Sequence, residues 1–80
     1  MRLDKYLKVS RLIKRRSVAK DCAESERVLV NGRVAKPATE IKKGDIITLL
    51  IGNKQTRFEV LDIKENVKAN DAKSLYRIID

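Results

Sequence analysis

The spacing of apolar residues changes once along this chain, near Arg27, and that change limits the folds open to it. Residues 3–10 carry apolar side chains at helical spacing. From Val28 onward the spacing becomes alternating and leads into Asn31-Gly32, the strongest short hairpin signal that a sequence offers. The sequence therefore predicts an α+β fold, in which two short N-terminal helices pack on a small antiparallel sheet of three to five strands.

Both predicted helices are short and amphipathic. The first runs from Leu3 to Ser10, with apolar positions on one side and basic residues on the other. The second has Ser17 as its N-cap and runs to about Glu26. Its small apolar residues form a stripe that allows close helix packing: Val18, Ala19, Cys22 and Ala23.

The rest of the chain is predicted to form short strands, with turns at Lys36-Pro37, Lys43-Gly44-Asp45 and Gly52-Asn53. The predicted strands are residues 28–30, 33–34, 46–51, 54–63 and about 75–79. The polar stretch 64–73 is expected to be a mobile loop. The chain is expected to be one domain over residues 1–80, with a core motif at about 2–50 and a strand extension over 51–80.

Positive charge is concentrated at the N-terminal end. The first twenty residues hold eight Lys and Arg against Asp4 alone, a net charge of +7, while the other sixty contribute only +1. Charge placed in this way attracts polyanions to one face, so nucleic acid is the leading predicted partner. The connection Arg11–Arg16 ends at the start of the second helix, where free backbone N–H groups already favour phosphate.

Composition argues against several other kinds of site. The chain has one cysteine, Cys22, and no histidine, so neither an internal disulfide nor the usual zinc ligand set can form. The same absences leave no histidine base for catalysis, and three glycines form no phosphate-binding loop. We therefore expect no catalytic, metal or cofactor site, an inert packed Cys22, and a reducing, cytoplasmic setting. The longest apolar run, residues 46–51, is far shorter than the roughly 20 residues of a membrane helix.

Five short motifs occur in a characteristic order: Arg2-Leu-Asp-Lys-Tyr-Leu, Ser10-Arg, Arg16-Ser-Val-Ala, Val28-Leu-Val-Asn-Gly-Arg and Gly44-Asp-Ile. Together they closely resemble the RNA-binding domain named after small-subunit ribosomal protein S4. The resemblance implies the alpha-L RNA-binding motif, in which the two helices and the hairpin form one surface that docks on structured RNA.

Among free-standing members of this family, the chain is most similar to the short bacterial factors of ribosome-associated quality control, which are related to the heat-shock-induced ribosome-binding protein. The resemblance implies a non-enzymatic, ribosome-associated factor that binds large-subunit rRNA and P-site peptidyl-tRNA. It also implies support for nascent-chain tailing by a separate tailing factor. The end of the chain at Asp80 favours the shorter group, and a monomer is expected.

The resemblance places the tRNA-contacting arginines at Arg2 and Arg16. Arginine suits this role because its planar fork of donors grips phosphate or stacks on a base. Contacts with RNA phosphates are also predicted for the other basic residues of this end and of the hairpin: Lys5, Lys8, Arg11, Lys14, Arg15, Lys20, Arg33 and Lys36.

Two positions leave alternatives open. Tyr6 either stacks on a base or belongs to the core, and the core is favoured. Glu26 stands where the family usually has Gly, so the sequence does not settle how the second helix ends or at what angle the hairpin leaves it.

Other functions fit the same charges. The chain could be the RNA-binding module of a longer enzyme, such as an rRNA pseudouridine synthase or a tRNA synthetase. It could also be a basic module that grips an acidic protein or an anionic membrane. A preference for folded RNA over heparin or anionic vesicles would separate the last reading from RNA binding.

Overall fold

The computed structural model describes residues 1–79 and has two α-helices, a five-stranded sheet and a 3₁₀ helix. The helices are α1 (Leu3–Val9) and α2 (Arg16–Glu24), and the 3₁₀ helix is Ala69–Leu75. The strands are β1 (Val28–Val30), β2 (Arg33–Val34), β3 (Ile46–Ile51), β4 (Lys54–Val60) and β5 (Tyr76–Ile79). All neighbours in the order β2-β1-β3-β4-β5 are antiparallel, which confirms the predicted α+β class.

The core joins the two helices to one face of the sheet. Tyr6 and Leu7 of α1 and Ala23 of α2 are fully buried, in one cluster with Ile47 and Phe58 of the sheet. Ile47 lies opposite Phe58 in the β3–β4 register, so both side chains project from the same face. In β4 the alternation of Phe58 and Val60 with charged residues in the sequence is therefore the alternation of core-facing and outward-facing side chains.

The N-terminus of α1 is fixed by the segment that follows the hairpin. The backbone N–H of Leu3 donates to the Thr39 carbonyl (2.8 Å), and that of Asp4 donates to the Pro37 carbonyl (3.2 Å). These two bonds satisfy N–H groups that a helix start leaves without intrahelical partners. The first turn of α1, which carries Arg2 and Asp4, is therefore held in a fixed place.

The β1–β2 hairpin has the predicted two-residue turn. Asn31 and Gly32 both have positive φ (53° and 82°), which a type I′ turn requires. The Asn31 side chain also donates to Asp45 Oδ1 (3.1 Å) and accepts from the Ile46 N–H (2.9 Å). Asn31 therefore joins the hairpin to the turn before β3, a tertiary contact that the dipeptide alone does not predict.

The second helix ends as a glycine-capped helix would, although Glu26 occupies the capping position. Glu26 has a φ of 61°, and its N–H donates to the Ala23 carbonyl (3.1 Å). The next N–H, from Arg27, donates to the Cys22 carbonyl (3.0 Å). These are the two bonds of a Schellman motif, so the question that the sequence left open at Glu26 is answered: the left-handed cap is kept.

Two predictions for α2 were wrong: the residue at which the helix starts, and the packing of Val18 in its apolar stripe. The Ala19 N–H donates to the Arg15 carbonyl (3.0 Å), so Arg15 is the N-cap and Ser17 lies inside the first turn. Val18 is 44% exposed, which leaves Ala19 and Ala23 buried and Cys22 partly buried against the core. The helix ends at Glu24, two residues before the predicted end, because Ser25 is the C-cap and Glu26 adopts the left-handed backbone.

Two predictions in the C-terminal part also need correction. Strand β4 ends at Val60, since the N–H groups of Leu61 and Asp62 both turn to the Leu75 carbonyl (2.8 and 3.3 Å). The stretch 64–73 is not loop throughout, because the 3₁₀ helix begins at Ala69 and buries Ala72 and Leu75. None of the helices within residues 1–79 is long and apolar enough to cross a membrane.

Candidate nucleic-acid interface

Arg2 and Arg16, the two arginines singled out in the sequence, meet at one carboxylate. Arg2 donates from Nε to Asp4 Oδ1 (3.2 Å) and from Nη2 to Asp4 Oδ2 (3.3 Å). The Nε atom of Arg16 lies 3.5 Å from Asp4 Oδ2. Asp4 therefore brings together two guanidinium groups from different helix starts, and we call these three residues the arginine pair site.

The arginine pair site is buried at its centre and open at its edge. Asp4 is only 2% exposed, whereas the side chains of Arg2 and Arg16 are 51% and 49% exposed. Asp4 Oδ1 also accepts the Lys5 backbone N–H (2.8 Å). One buried negative charge thus holds two half-exposed positive groups, and the site as a whole keeps a net positive charge toward solvent.

Sequence reasoning did not identify Asp4 as a functional residue. Its position carries one usable signal, since it is the sole acidic residue among the first twenty. A lone carboxylate in a strongly basic segment, two residues from Arg2, indicates local ion pairing. The approach of Arg16 could not be inferred, because it depends on how α2 packs against α1.

The basic connection between the helices has a defined shape. Arg11 adopts a left-handed backbone (φ 64°), and its N–H donates to the Lys8 carbonyl (3.1 Å). Ile13 is buried in the core, and its N–H donates to the Leu7 carbonyl (3.1 Å). The connection is therefore anchored at its centre, and it presents basic side chains to solvent on both sides of that anchor.

The predicted RNA-contacting residues differ in their partners. Lys5 lies 3.6 Å from Glu65, and Lys20 lies 3.9 Å from Glu24 in the next turn of α2. Six of the predicted residues are exposed and have no acidic partner among the residues described: Lys8, Arg11, Lys14, Arg15, Arg33 and Lys36. Four of these, Lys8, Arg11, Lys14 and Arg15, lie at the end of α1 and in the connection to α2, and together with the arginine pair site they form what we call the basic face.

Lys36 and Arg33, the two basic residues predicted from the hairpin, lie at different places relative to α1. Lys36 precedes Pro37, whose carbonyl accepts the Asp4 N–H, so Lys36 is beside the start of α1. Arg33 is exposed on β2, the edge strand of the sheet. The structure thus brings Lys36 toward the basic face and leaves Arg33 on the hairpin edge.

Tyr6 belongs to the core, and the alternative that it stacks on a base was wrong. It is fully buried, and its hydroxyl donates to the Leu75 carbonyl (2.7 Å). Burial, with smaller contributions from Tyr76 and Asp62, raises the pKa of the Tyr6 hydroxyl above its ordinary value. The basic face therefore has no aromatic ring from Tyr6 to offer.

Residues 1–79 also contain no cluster of side chains that could hold a metal ion.

Comparison with known proteins places this arrangement in a family. The S4 domain model matches residues 1–47. A protein of Streptococcus pneumoniae named RQC P-site tRNA stabilizing factor is 51% identical over 79 residues, which are 99% of this chain and 90% of that protein. A heat shock protein 15 homolog of Aeromonas salmonicida is 35% identical over 69 residues, 86% of this chain and 52% of its own length.

The solved structures agree with the fold. The trimeric structure of Vibrio cholerae heat shock protein 15 superposes with a TM-score of 0.90 and 35% identity, covering 99% of this chain and 81% of that one. The monomeric state expected for this chain stays a prediction beside that trimer. From the matched domain and from the identity over almost the whole length, the chain belongs to the S4 domain family and, within it, to the family of RQC P-site tRNA stabilizing factors.

Proposed function

We propose that this protein is a non-enzymatic factor that binds large-subunit rRNA and P-site peptidyl-tRNA. It is proposed to support the tailing of stalled nascent chains, which a separate factor carries out. The observation that carries this proposal is the arginine pair site, in which Asp4 holds two half-exposed guanidinium groups within a segment of net charge +7. The names of its close relatives, which describe P-site tRNA stabilization, support the same role and a cytoplasmic, ribosome-associated location.

The proposed contact is electrostatic and geometric together. Guanidinium groups bind phosphate oxygens through paired N–H donors, and a group whose position is already fixed loses less entropy on binding. Asp4 supplies that fixation for Arg2 and Arg16. The remaining cations of the basic face contact further phosphates, and position matters more than geometry for these.

The proposed stabilization of tRNA follows from contacting two RNAs at once. A protein bound to rRNA through one part of its basic face presents the arginine pair site to tRNA at a high effective concentration. The tRNA contact then becomes intramolecular within the subunit, and each contact strengthens the other. No chemical step on the protein is required for this effect.

One observation supports this function over that of a module from an rRNA-modifying enzyme. The chain covers 90% of a relative whose name describes a stabilizing factor, and the two are 51% identical over 79 residues.

Co-sedimentation with purified large ribosomal subunits tests the proposal. We expect binding that increases when peptidyl-tRNA occupies the P site and that falls in the double variant Arg2→Ala, Arg16→Ala. The matched control is Lys54→Ala, Lys73→Ala, which removes the same two charges outside the basic face. With about five phosphate contacts, log affinity should fall with log salt at a slope of about −3.5 to −4.5. The proposal would be contradicted if both double variants lost the same affinity for the subunit, or if binding were the same with and without P-site tRNA.

A further inference from the structure

A pocket lies beside the arginine pair site, between α1 and the polar segment 65–67. Its volume is about 300 Å³, at the lower end of the pockets that hold small ligands. Lys5, Lys8 and Val9 line it from α1. The other side of the pocket is formed by residues 65–67, beyond residues 1–47 that match the S4 domain.

The lining combines a cationic rim with an apolar interior surface. Lys8, Arg11 and Arg16 carry positive charges at the pocket. Val9 and Val67 contribute apolar side chains, both packed against the protein core. This combination suits a ligand that is flat and apolar on its faces and anionic at its attachment point.

Asn66 adds the polar group that such a pocket needs for selectivity. Its side chain lines the pocket and is exposed, and an amide offers both donors and an acceptor. Asparagine can pair with a base edge through both of these functions. Hydrogen bonds to the edge of an unstacked base are a general feature of single-stranded RNA recognition, and cations position its flanking phosphates. In this pocket the valine side chains take the place of the usual aromatic stacking partner.

The backbone of Arg11 fixes its side chain at the pocket rim. Its left-handed φ of 64° and the bond from its N–H to the Lys8 carbonyl (3.1 Å) close the C-terminal end of α1, as Glu26 closes the end of α2. Arg11 lines the pocket and has no acidic partner among the residues described. Its charge at the rim is therefore available to a phosphate.

Residues 65–67, on the outer side of the pocket, contact α1 through an ion pair whose carboxylate an RNA phosphate can replace. Glu65 Oε1 lies 3.6 Å from Lys5 Nζ, and the Glu65 side chain is 77% exposed. An exposed pair of this kind is weak, and a phosphate can take the place of the Glu65 carboxylate on Lys5. The pair therefore holds the segment near α1 without blocking the cations from RNA.

We propose that this pocket binds one unstacked nucleotide of RNA, with the base between Val9 and Val67 and its edge at Asn66. The phosphates flanking that nucleotide contact Lys8 and Arg11. This inference rests on the proposed RNA-binding function and adds to it the recognition of an unpaired base by the segment between β4 and the 3₁₀ helix.

The test compares RNA hairpins that differ only in one base. One set has a single bulged nucleotide, prepared with each of the four bases, and the matched hairpin has an abasic bulge with the same phosphates. Fluorescence anisotropy gives the dissociation constants over a salt series. We expect at least one bulged base to bind about tenfold more tightly than the abasic hairpin, the order of gain that one bidentate amide–base pair gives.

Variants assign that gain to the pocket. Asn66→Ala should reduce the tenfold preference to about twofold, while its affinity for the abasic hairpin and its salt slope stay as in the wild type. The matched control is Asn70→Ala, an exposed asparagine in the 3₁₀ helix, which should keep the full preference. Lys8→Ala should weaken binding to both hairpins and make the salt slope shallower by about 0.7 to 0.9.

The possible failures are distinguishable. Equal wild-type affinity for bulged and abasic hairpins overturns the nucleotide pocket but leaves RNA binding in place. An Asn66→Ala variant that keeps the full preference also overturns the pocket. Wild-type binding to neither hairpin at moderate salt overturns the proposed RNA-binding function itself.

Discussion

The Nε atom of Arg16 lies 3.5 Å from Oδ2 of Asp4, and this ion pair joins the first residue of α2 to the first turn of α1. The same carboxylate accepts two hydrogen bonds from Arg2. Two guanidinium groups that would otherwise repel each other are thereby held side by side, facing solvent. The predictions below follow from this arrangement and from the elements that fix it.

Asp4→Asn should destabilise the fold by about 1–3 kcal/mol, since the charge-assisted hydrogen bonds to Arg2 lose their charge while the amide stays buried. Urea denaturation measures this change. Asp21→Asn is the matched control, because it makes the same charge change at an exposed position of α2. Equal stability of the two variants would show that Asp4 has no positioning role.

Arg16→Lys should weaken binding to subunits that carry peptidyl-tRNA while leaving the salt slope unchanged. Lysine keeps the charge, but it cannot hold Asp4 and grip a phosphate with one planar fork. Titration over a salt series measures both quantities. Lys14→Arg is a useful counterpart, since Lys14 has no acidic partner among the described residues and its geometry should matter little. If Arg16→Lys bound with the wild-type affinity, Arg16 would contribute only its charge, and the geometry of its guanidinium group would not matter.

Glu26→Gly should stabilise the protein by about 1 kcal/mol, because glycine relieves the left-handed strain at φ 61° within an intact Schellman motif. Glu24→Gly makes the same substitution in the last turn of α2 and should instead destabilise by about 1 kcal/mol. Thermal unfolding of both variants measures the two signs. If Glu26→Gly were less stable than the wild type, the glutamate side chain would stabilise the fold by more than its left-handed backbone destabilises it.

Tyr6→Phe should be less stable than the wild type by about 1 kcal/mol near neutral pH, because the Leu75 carbonyl loses its hydroxyl donor. Since burial raises the pKa of Tyr6 in the folded protein, the unfolded chain ionises first as pH rises past about 10. The unfolded state then binds fewer protons, so the wild type loses stability that Tyr6→Phe does not lose.

The difference between the wild type and Tyr6→Phe should therefore shrink, and then reverse, above about pH 10. Urea titrations from pH 8 to 12 follow this difference, in which the titration of the many lysines cancels. A constant difference across the range would contradict the buried, neutral state of Tyr6.

The parts of the fold that depend on local chemistry were predictable from the sequence. The hairpin at Asn31-Gly32 and the turn at Gly44 follow from backbone preferences of a few adjacent residues. The alternation of Phe58 and Val60 with polar neighbours correctly identified a half-buried strand. Each of these signals needs no knowledge of the rest of the chain.

The parts that depend on tertiary packing were not predictable. The 3₁₀ helix has a polar sequence, and its placement depends on burying Ala72 and Leu75 against the completed core. Asp4 shows its role only when α2 brings Arg16 to it. The pocket likewise needs residues 65–67 to fold back onto α1, a contact between segments about sixty residues apart.

A structure of the protein bound to a large ribosomal subunit with P-site peptidyl-tRNA, determined by electron cryo-microscopy, tests the central claim most directly. We predict that the guanidinium groups of Arg2 and Arg16 lie within about 3 Å of tRNA phosphate or base atoms, with both still in contact with Asp4. A complex in which the arginine pair site faces solvent, while tRNA contacts another surface of the protein, would contradict the account.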